Sequence, residues 1–96
     1  MIKKIEYTET YKETLSATVS IMERDWDEKY VNRFLDQLDD VVEKIRTHPY
    51  LFQAIPINPK YRRCVISKQT SLVYEVTDSK IILLYLFDNR QEPLWD

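Results

Sequence analysis

One segment near the end of the chain restricts the possible folds more than any other. Residues 81–87 read Ile-Ile-Leu-Leu-Tyr-Leu-Phe, an apolar run without alternation. A run of this length is typical of a strand, and the missing alternation indicates an interior strand that is covered on both faces. The fold must therefore supply neighbouring strands for this segment and a layer to cover it.

Two further strand-like runs precede this segment, over residues 61–66 and 71–77. Only short polar connections separate the three runs, and short connections join antiparallel strands. Residues 61–66, 71–77 and 80–87 are therefore predicted to form a three-stranded antiparallel meander. The proline-rich residues 49–60 are predicted to be an irregular connection that leads into it.

The first half of the chain carries the periodicity of two amphipathic helices. Apolar residues recur three and four positions apart, which places them on one face of each helix. The second helix must end before Pro49, because the residue preceding a proline disfavours the helical conformation. The apolar stripe of the first helix is Tyr11, Leu15, Thr18, Val19, Met22 and Trp26, and that of the second is Tyr30, Phe34, Leu38, Val41, Val42 and Ile45.

Capping motifs predict where each helix begins. Thr10-x-x-Glu13 has the form of a capping box. For the second helix, Asp25-x-x-Glu28 and Asp27 are alternative caps. A short first strand over residues 2–7 precedes this helical hairpin. The predicted fold class is α+β, with an N-terminal strand, an α-helical hairpin and then the three-stranded antiparallel meander, in a single domain over residues 1–96.

Composition excludes several classes of function. The chain has no glycine, which excludes glycine-rich phosphate loops and nucleotide-binding folds that use them. A net charge of −2 argues against nucleic acid as the main ligand, although residues 60–71 carry four bases and no acid. The sole histidine, His48, is expected to complement the end of the second helix. Without a second histidine a metal site has little to build on, and neither a metal nor a cofactor is predicted.

The expected location is the cytoplasm. Cys64 is the sole cysteine, so the chain can form no internal disulfide, and its thiol is expected to behave as a small buried hydrophobe. The first residues lack the apolar stretch of a signal peptide, and no apolar run is long enough to span a membrane.

A few side chains are candidates for binding a partner. Arginine recognises carboxylates and phosphates through its planar fork, and exposed aromatic residues are typical of interfaces. Trp26 lies at the hairpin turn, where it can anchor packing or contact a partner, and Trp95 follows Pro93, where no core is expected. The candidate binding residues are Tyr11, Trp26, Arg62, Arg63, Arg90 and Trp95.

The order and spacing of these segments resemble the RelE/ParE superfamily of toxins from type II toxin–antitoxin systems. The resemblance covers nearly the whole chain, and the ending is its most specific part. This ending is similar to the Arg-Gln-x-Pro motif that ends ParE-like plasmid stabilisation toxins. The segments that carry the resemblance are residues 26–29 (WDEK), 45–49 (IRTHP), 62–63 (RR), 72–76 (LVYEV) and 87–93 (FDNRQEP).

The resemblance implies a toxin that is neutralised by a cognate antitoxin. The ParE branch inhibits DNA gyrase, and the RelE branch cleaves messenger RNA on the ribosome. Ser71, Asp88 and Asn89 stand where RelE-like sequences place a cationic residue and acid–base side chains. The ParE-like function is therefore expected, with no catalytic residue assigned. A RelE-like endoribonuclease and a non-toxic binding module of the same fold are the alternatives.

The resemblance also implies where the partners bind. The antitoxin is expected in a groove between the helical hairpin and the sheet. The target, gyrase or alternatively the ribosome and its mRNA, is expected at a surface that includes Arg62, Arg63 and Arg90.

Overall fold

A computed structural model, which describes residues 3–90, shows two helices packed on a five-stranded mixed sheet. The α+β fold class predicted from the sequence is confirmed. The strands are ordered β1-β5-β4-β3-β2 across the sheet. In chain order the elements are β1 (Lys4–Tyr7), α1 (Glu9–Asp25), α2 (Glu28–Thr47), β2 (Gln53–Ile55), β3 (Asn58–Val65), β4 (Thr70–Val76) and β5 (Lys80–Asp88).

The apolar run predicted to be an interior strand is β5, which pairs antiparallel with β4 and parallel with β1. The predicted meander of β3, β4 and β5 is confirmed. The prediction that both faces of this strand are covered is not confirmed. Ile81, Leu83 and Leu86 are buried towards the helices, whereas the residues between them are half-buried. The second layer of the fold therefore covers one face of the sheet, called here the helix face; the opposite face is called the open face.

The prediction of an irregular connection over residues 49–60 is wrong from residue 53 onward. Residues 53–55 form the edge strand β2, and β3 begins at Asn58, before the predicted start. Pro59 does not interrupt the pairing because it falls in a register shift. Ile55 pairs with Asn58 and Ala54 with Arg62, so no β2 residue lies opposite Pro59.

The first helix begins earlier than the Thr10 capping box predicts. Its N-cap is Thr8, whose hydroxyl accepts a hydrogen bond from the Tyr11 amide at 3.0 Å. The same hydroxyl donates to the Leu83 carbonyl at 2.8 Å. A contact with β5 therefore selects Thr8 over Thr10, and no local sequence pattern contains that information.

The second helix follows the predictions closely. Of the two alternative caps, Asp27 is the correct one, and its carboxylate accepts from the Tyr30 amide at 3.0 Å. The helix ends at Thr47, before Pro49, and the His48 amide closes it by donating to the Lys44 carbonyl at 2.7 Å. Trp26 and Asp27 alone separate the two helices, as expected of an αα-hairpin.

The core lies between the two helices and the helix face of the sheet. Cys64 is among its buried side chains, as predicted, and burial raises the pKa of its thiol to about 11. A thiol held neutral in this way is a poor nucleophile. Within residues 3–90, neither helix is long and apolar enough to cross a membrane. The largest fully buried side chains are those of Phe34, Ile45, Leu72, Tyr74, Ile81 and Leu83.

A bulge in β5 decides which of its side chains face the helices. Val73 pairs with Tyr85 but its neighbour Tyr74 pairs with Leu83, so Leu84 is an extra residue. The bulge lets Leu83 and Leu86 both join the core, while Tyr85 turns to the open face. The α1 residue Thr14 stabilises the bulge, because its hydroxyl accepts a hydrogen bond from the Leu86 amide at 3.0 Å.

Replacing Thr14 by valine is expected to lower the free energy of unfolding by about 1–3 kcal/mol, because it leaves the Leu86 amide without its acceptor. Thr18→Val is the matched control, since the Thr18 hydroxyl bonds only the Thr14 carbonyl of its own helix. Urea denaturation of both variants measures the difference. Equal losses would show that Thr14 does not stabilise the bulge.

Candidate functional site

A cleft of about 220 Å³ opens between the helical hairpin and the sheet, close to the hairpin turn. It is called here the hairpin–sheet cleft. One wall comes from the end of α1, and the other comes from the start of β4 and the end of β5. The lining residues are Thr18, Ile21, Met22, Asp25, Trp26, Gln69, Thr70, Asp88 and Arg90. A groove between hairpin and sheet is thus present, at the place where the sequence resemblance implies one.

Trp26 lies at the mouth of this cleft, where its ring packs against α2. Its indole is stacked on the Tyr30 ring, with 4.5 Å between centroids and 15° between planes, and the residue remains 47% exposed. The Tyr30 hydroxyl in turn donates to the Gln69 side chain at 2.9 Å, which links the hairpin to the β3–β4 turn. Trp26 therefore both anchors the hairpin and offers an exposed aromatic surface.

Trp26 also lines a second depression, between the two helices of the hairpin. This groove, of about 430 Å³, lies between α1 and α2 and includes Val19, Val31 and Leu35 among its walls. The two cavities meet at the indole, so a ligand that crosses the hairpin turn would contact Trp26 from both.

Arg90 lies on the opposite wall of the cleft, where Asp88 fixes its position. The guanidinium donates to both carboxylate oxygens, with Nε–Oδ1 3.0 Å and Nη2–Oδ2 2.6 Å. These hydrogen bonds lower the pKa of Asp88 below its ordinary value. The Arg90 side chain is 72% exposed, so water screens the pair and the guanidinium stays accessible to a further anion.

Asn89, between these two residues, has a structural role. Its amide group donates to the Ser67 and Lys68 carbonyls at 3.3 and 3.2 Å, and its carbonyl oxygen accepts from the Ser71 hydroxyl. The resemblance implies acid–base chemistry at the positions of Ser71 and Asn89 in RelE-like toxins. In this chain the two side chains instead hold the β3–β4 turn. A serine hydroxyl and a carboxamide have no titration near neutral pH that would let them act as acid or base.

The three candidate arginines do not form one surface, in contrast to the expected target-facing set. Neighbouring residues of a strand point to opposite faces, so Arg62 lies on the helix face and Arg63 on the open face. Arg62 is opposite Tyr74, Arg63 is opposite Val73, and Arg90 lies beyond the other end of β4. Consecutive arginines look like one patch in the sequence, but alternation along the predicted strand over residues 61–66 already separates them.

Arg62 is held by two contacts at the end of α2. Its guanidinium lies 5.0 Å from the centroid of the Tyr50 ring, and its Nη1 donates to the Phe52 carbonyl at 2.6 Å.

On the open face, Arg63 lies alongside Tyr85, with Val73 between them in the strand pairing. Tyr85 and Phe87 have ring centroids 6.3 Å apart, and burial raises the pKa of the Tyr85 phenol.

The remaining two candidates have different outcomes. Tyr11 is 5% exposed, so the partly exposed ring expected at an interface is in fact a core residue, and burial raises its pKa to about 12. The position of Tyr11 on the apolar stripe already indicated this. Trp95 lies outside the described residues. Ile21 was missed as a cleft residue, although the signal was present: it is an apolar residue that falls off the stripe of α1.

His48 lies at the end of α2, where its backbone amide donates to the Lys44 carbonyl; the expected complementation of the helix end by its side chain stays a prediction. Among residues 3–90, no group of three or more histidine, cysteine, aspartate or glutamate side chains is placed to hold a metal ion.

Solved toxin structures share this architecture. No protein-family model and no curated protein sequence matches the chain. The chromosomal ParDE toxin–antitoxin system of P. aeruginosa includes a chain that superposes with a TM-score of 0.75 at 12% identity, over 91% of this chain and 96% of that one. A chain of the E. coli DinJ–YafQ toxin–antitoxin complex gives 0.64 at 14% identity, over 94% and 96%. The YoeB dimer of S. aureus gives 0.60 at 14% identity, over 88% and 94%.

These similarities agree with the sequence resemblance. Each covers nine-tenths or nearly so of both chains, so the whole described architecture is shared and not a fragment of it. At identities this low the shared property is the fold. The chain thus has the fold of the RelE/ParE-type toxins.

Proposed function

We propose that this protein is the toxin of a type II toxin–antitoxin system, of the ParE-like kind, and that a cognate antitoxin neutralises it. The observation that carries the proposal is the hairpin–sheet cleft on a toxin fold. The cleft combines an exposed indole with the Arg90 guanidinium, which pairs with Asp88 and is still 72% exposed, and its described lining residues form no catalytic constellation. A protein of this kind acts through binding surfaces.

The two walls of the cleft suit an amphipathic segment of the antitoxin. Ile21, Met22 and Trp26 give one wall an apolar character, and Ile21 is 49% exposed there. Arg90 on the other wall can pair with an acidic side chain. A helix with apolar residues at spacings of three and four and one carboxylate beside them would satisfy both walls. The charge would contribute more to association rate and orientation than to affinity.

The ParE-like branch is favoured over the RelE-like branch by the environment of Ser71 and Asn89. Cleavage of RNA requires groups that move a proton from the 2′-hydroxyl and to the leaving oxygen. The hydroxyl of Ser71 and the amide of Asn89 are both committed to holding the β3–β4 turn. The tyrosine of the neighbouring strand, Tyr85, has a pKa raised by burial, which makes its phenol a weaker acid.

Induced expression in a bacterial host tests this proposal. Growth should stop, and the supercoiling of a reporter plasmid should change before protein synthesis falls, because gyrase is the target implied by a ParE-like toxin. Unimpaired growth would favour the non-toxic binding module instead. Early loss of translation with normal supercoiling would favour the ribosome as target.

No ribosome-dependent RNA cleavage is expected, because Ser71, Asp88 and Asn89 stand where RelE-like sequences place a cationic residue and a histidine or tyrosine. Mapping transcript 5′ ends shortly after induction measures this directly. New cuts in phase with codons that disappear in the Arg63→Ala, Arg90→Ala double variant would contradict the prediction.

A further inference from the structure

The open face of the sheet contains fully buried residues, although neither helix lies over it. Val73 is 0% exposed and Ser71 is 1% exposed, and the strand pairings place both side chains on the open face. Val73 is accordingly not part of the core cluster beneath the helices. Burial also raises the pKa of the Tyr85 phenol, which lies beside Val73 in the pairing. The free face of a sheet is ordinarily solvated, so burial to this degree points to a covering layer.

The centre of the open face is apolar and aromatic, with a cation beside the rings. Tyr85 and Phe87 have ring centroids 6.3 Å apart. Arg63 lies level with Tyr85 across β4, and Val73 separates the two in the strand pairing. Glu75, also on this face, lies two residues beyond Val73 along β4. Such a surface suits a segment that carries a large apolar side chain next to a carboxylate.

The sequence that follows β5 supplies such a segment. Residues 91–96 read Gln-Glu-Pro-Leu-Trp-Asp and lie outside the described part of the chain. Leu94 and Trp95 are the large apolar residues of this segment, and Asp96 follows them directly. The segment has two acids and no base. Its composition therefore complements the rings and the guanidinium of the open face.

The turn at the end of β5 brings this segment within reach of the open face. The chain turns at Asn89 and Arg90, where the Arg90 amide donates to the Asp88 carboxylate at 2.9 Å. Tyr85 lies five residues before Arg90, and Trp95 lies five residues after it. An extended chain advances about 3.3 Å per residue, so a segment that runs back from the turn can place Trp95 level with Tyr85.

The helix face offers this segment a poorer fit. At the end of β5 that face is covered by α1, whose Thr14 hydroxyl accepts from the β5 backbone at 3.0 Å. The hairpin–sheet cleft has the carboxylates of Asp25 and Asp88 in its lining, and its arginine, Arg90, is already paired with Asp88. Coulomb repulsion from these acids favours the face that presents Arg63 at its centre.

From these observations we propose that residues 91–96 fold back over the open face and cover it, with Trp95 packed on the two aromatic rings of β5 and Asp96 paired with Arg63. The segment then serves as a cover of the sheet that belongs to the chain itself. An outside ligand reaches the open face only when the segment is displaced. This inference goes beyond the proposed function and does not depend on it.

Nuclear Overhauser effects in the full-length, unaltered protein test this placement. We expect contacts between the indole protons of Trp95 and the ring protons of Tyr85 and Phe87. Contacts from Trp95 to Ile21 or Met22 would place the segment in the hairpin–sheet cleft and overturn the proposal. An indole without contacts to any strand would also overturn it, because the segment would then leave the open face in water.

Tryptophan fluorescence tests the ion pair with Arg63. Trp26→Phe leaves Trp95 as the sole tryptophan, and packing on the sheet should shield its indole from acrylamide. Asp96→Asn in this background should raise the quenching constant about twofold, because the segment loses its ion pair. Glu92→Gln is the matched control, since it removes the same charge from the same segment and should leave the constant unchanged. Equal effects of the two substitutions, or no effect of either, would overturn the pairing of Asp96 with Arg63.

Discussion

Replacing Leu83 by alanine is expected to lower the free energy of unfolding by about 2–5 kcal/mol. Leu83 is fully buried in the centre of β5, where it contacts the core that the two helices close over the sheet. The substitution removes three heavy atoms and leaves a cavity, because a dense interior relaxes only in part. Its backbone carbonyl still accepts from the Thr8 cap, so the loss reports packing alone.

Urea denaturation of the purified chain measures this loss. The matched control is Leu51→Ala, which deletes the same atoms from a side chain that is 63% exposed and should change stability by no more than about 0.5 kcal/mol. A loss below about 1 kcal/mol for Leu83→Ala would mean that the helices do not seal this strand. For a core of this size the expected loss is a large part of the total stability.

The elements that could be predicted are those whose signal is local. The periodicity of α2 and its Asp27 cap can be recognised from neighbouring residues of the sequence. Pro49 ends the helix because its ring disfavours the helical conformation of the residue before it. The run over residues 81–87 identifies β5 for the same reason. Its partly uncovered open face was not predicted, because aromatic side chains such as Tyr85 can lie half-buried on an open face and still look like core residues.

The features that were missed depend on contacts between distant residues. Strand β2 has only three residues, and its pairing with β3 requires a register shift that no local sequence pattern predicts. Thr8 is chosen as the cap by a carbonyl that lies 75 positions away in the sequence. The candidate site residues differ in this respect. The position of Trp26 at the hairpin turn was predicted from local sequence. The separation of Arg62 from Arg63 was equally predictable, because residues 61–66 were predicted to be a strand and side chains alternate along a strand.

Introducing a charge at Ile21 is expected to weaken antitoxin binding about 100-fold, which corresponds to about 2.7 kcal/mol. Ile21 is half exposed on the apolar wall of the hairpin–sheet cleft, within the same lining as Trp26 and Arg90. In Ile21→Glu, a bound antitoxin would bury a carboxylate against its own apolar residues, and the free toxin would keep that carboxylate in water. The penalty therefore falls on the complex and not on the fold.

Co-expression with the reading frame beside the gene provides the assay. A ligand that binds only the folded state raises the melting temperature of the protein. The unaltered complex should therefore melt above the free toxin, and the Ile21→Glu mixture should melt close to the free toxin.

Leu51→Glu is the control, because Leu51 is exposed at the other end of α2, away from the cleft. If Leu51→Glu abolishes copurification and Ile21→Glu does not, the antitoxin binds near the far end of α2, and its assignment to the hairpin–sheet cleft is wrong. If neither variant differs from the unaltered complex, the antitoxin binds elsewhere. Growth rescue by the antitoxin separates these cases from a chain without toxicity, since a cleft variant that is still toxic should no longer be rescued.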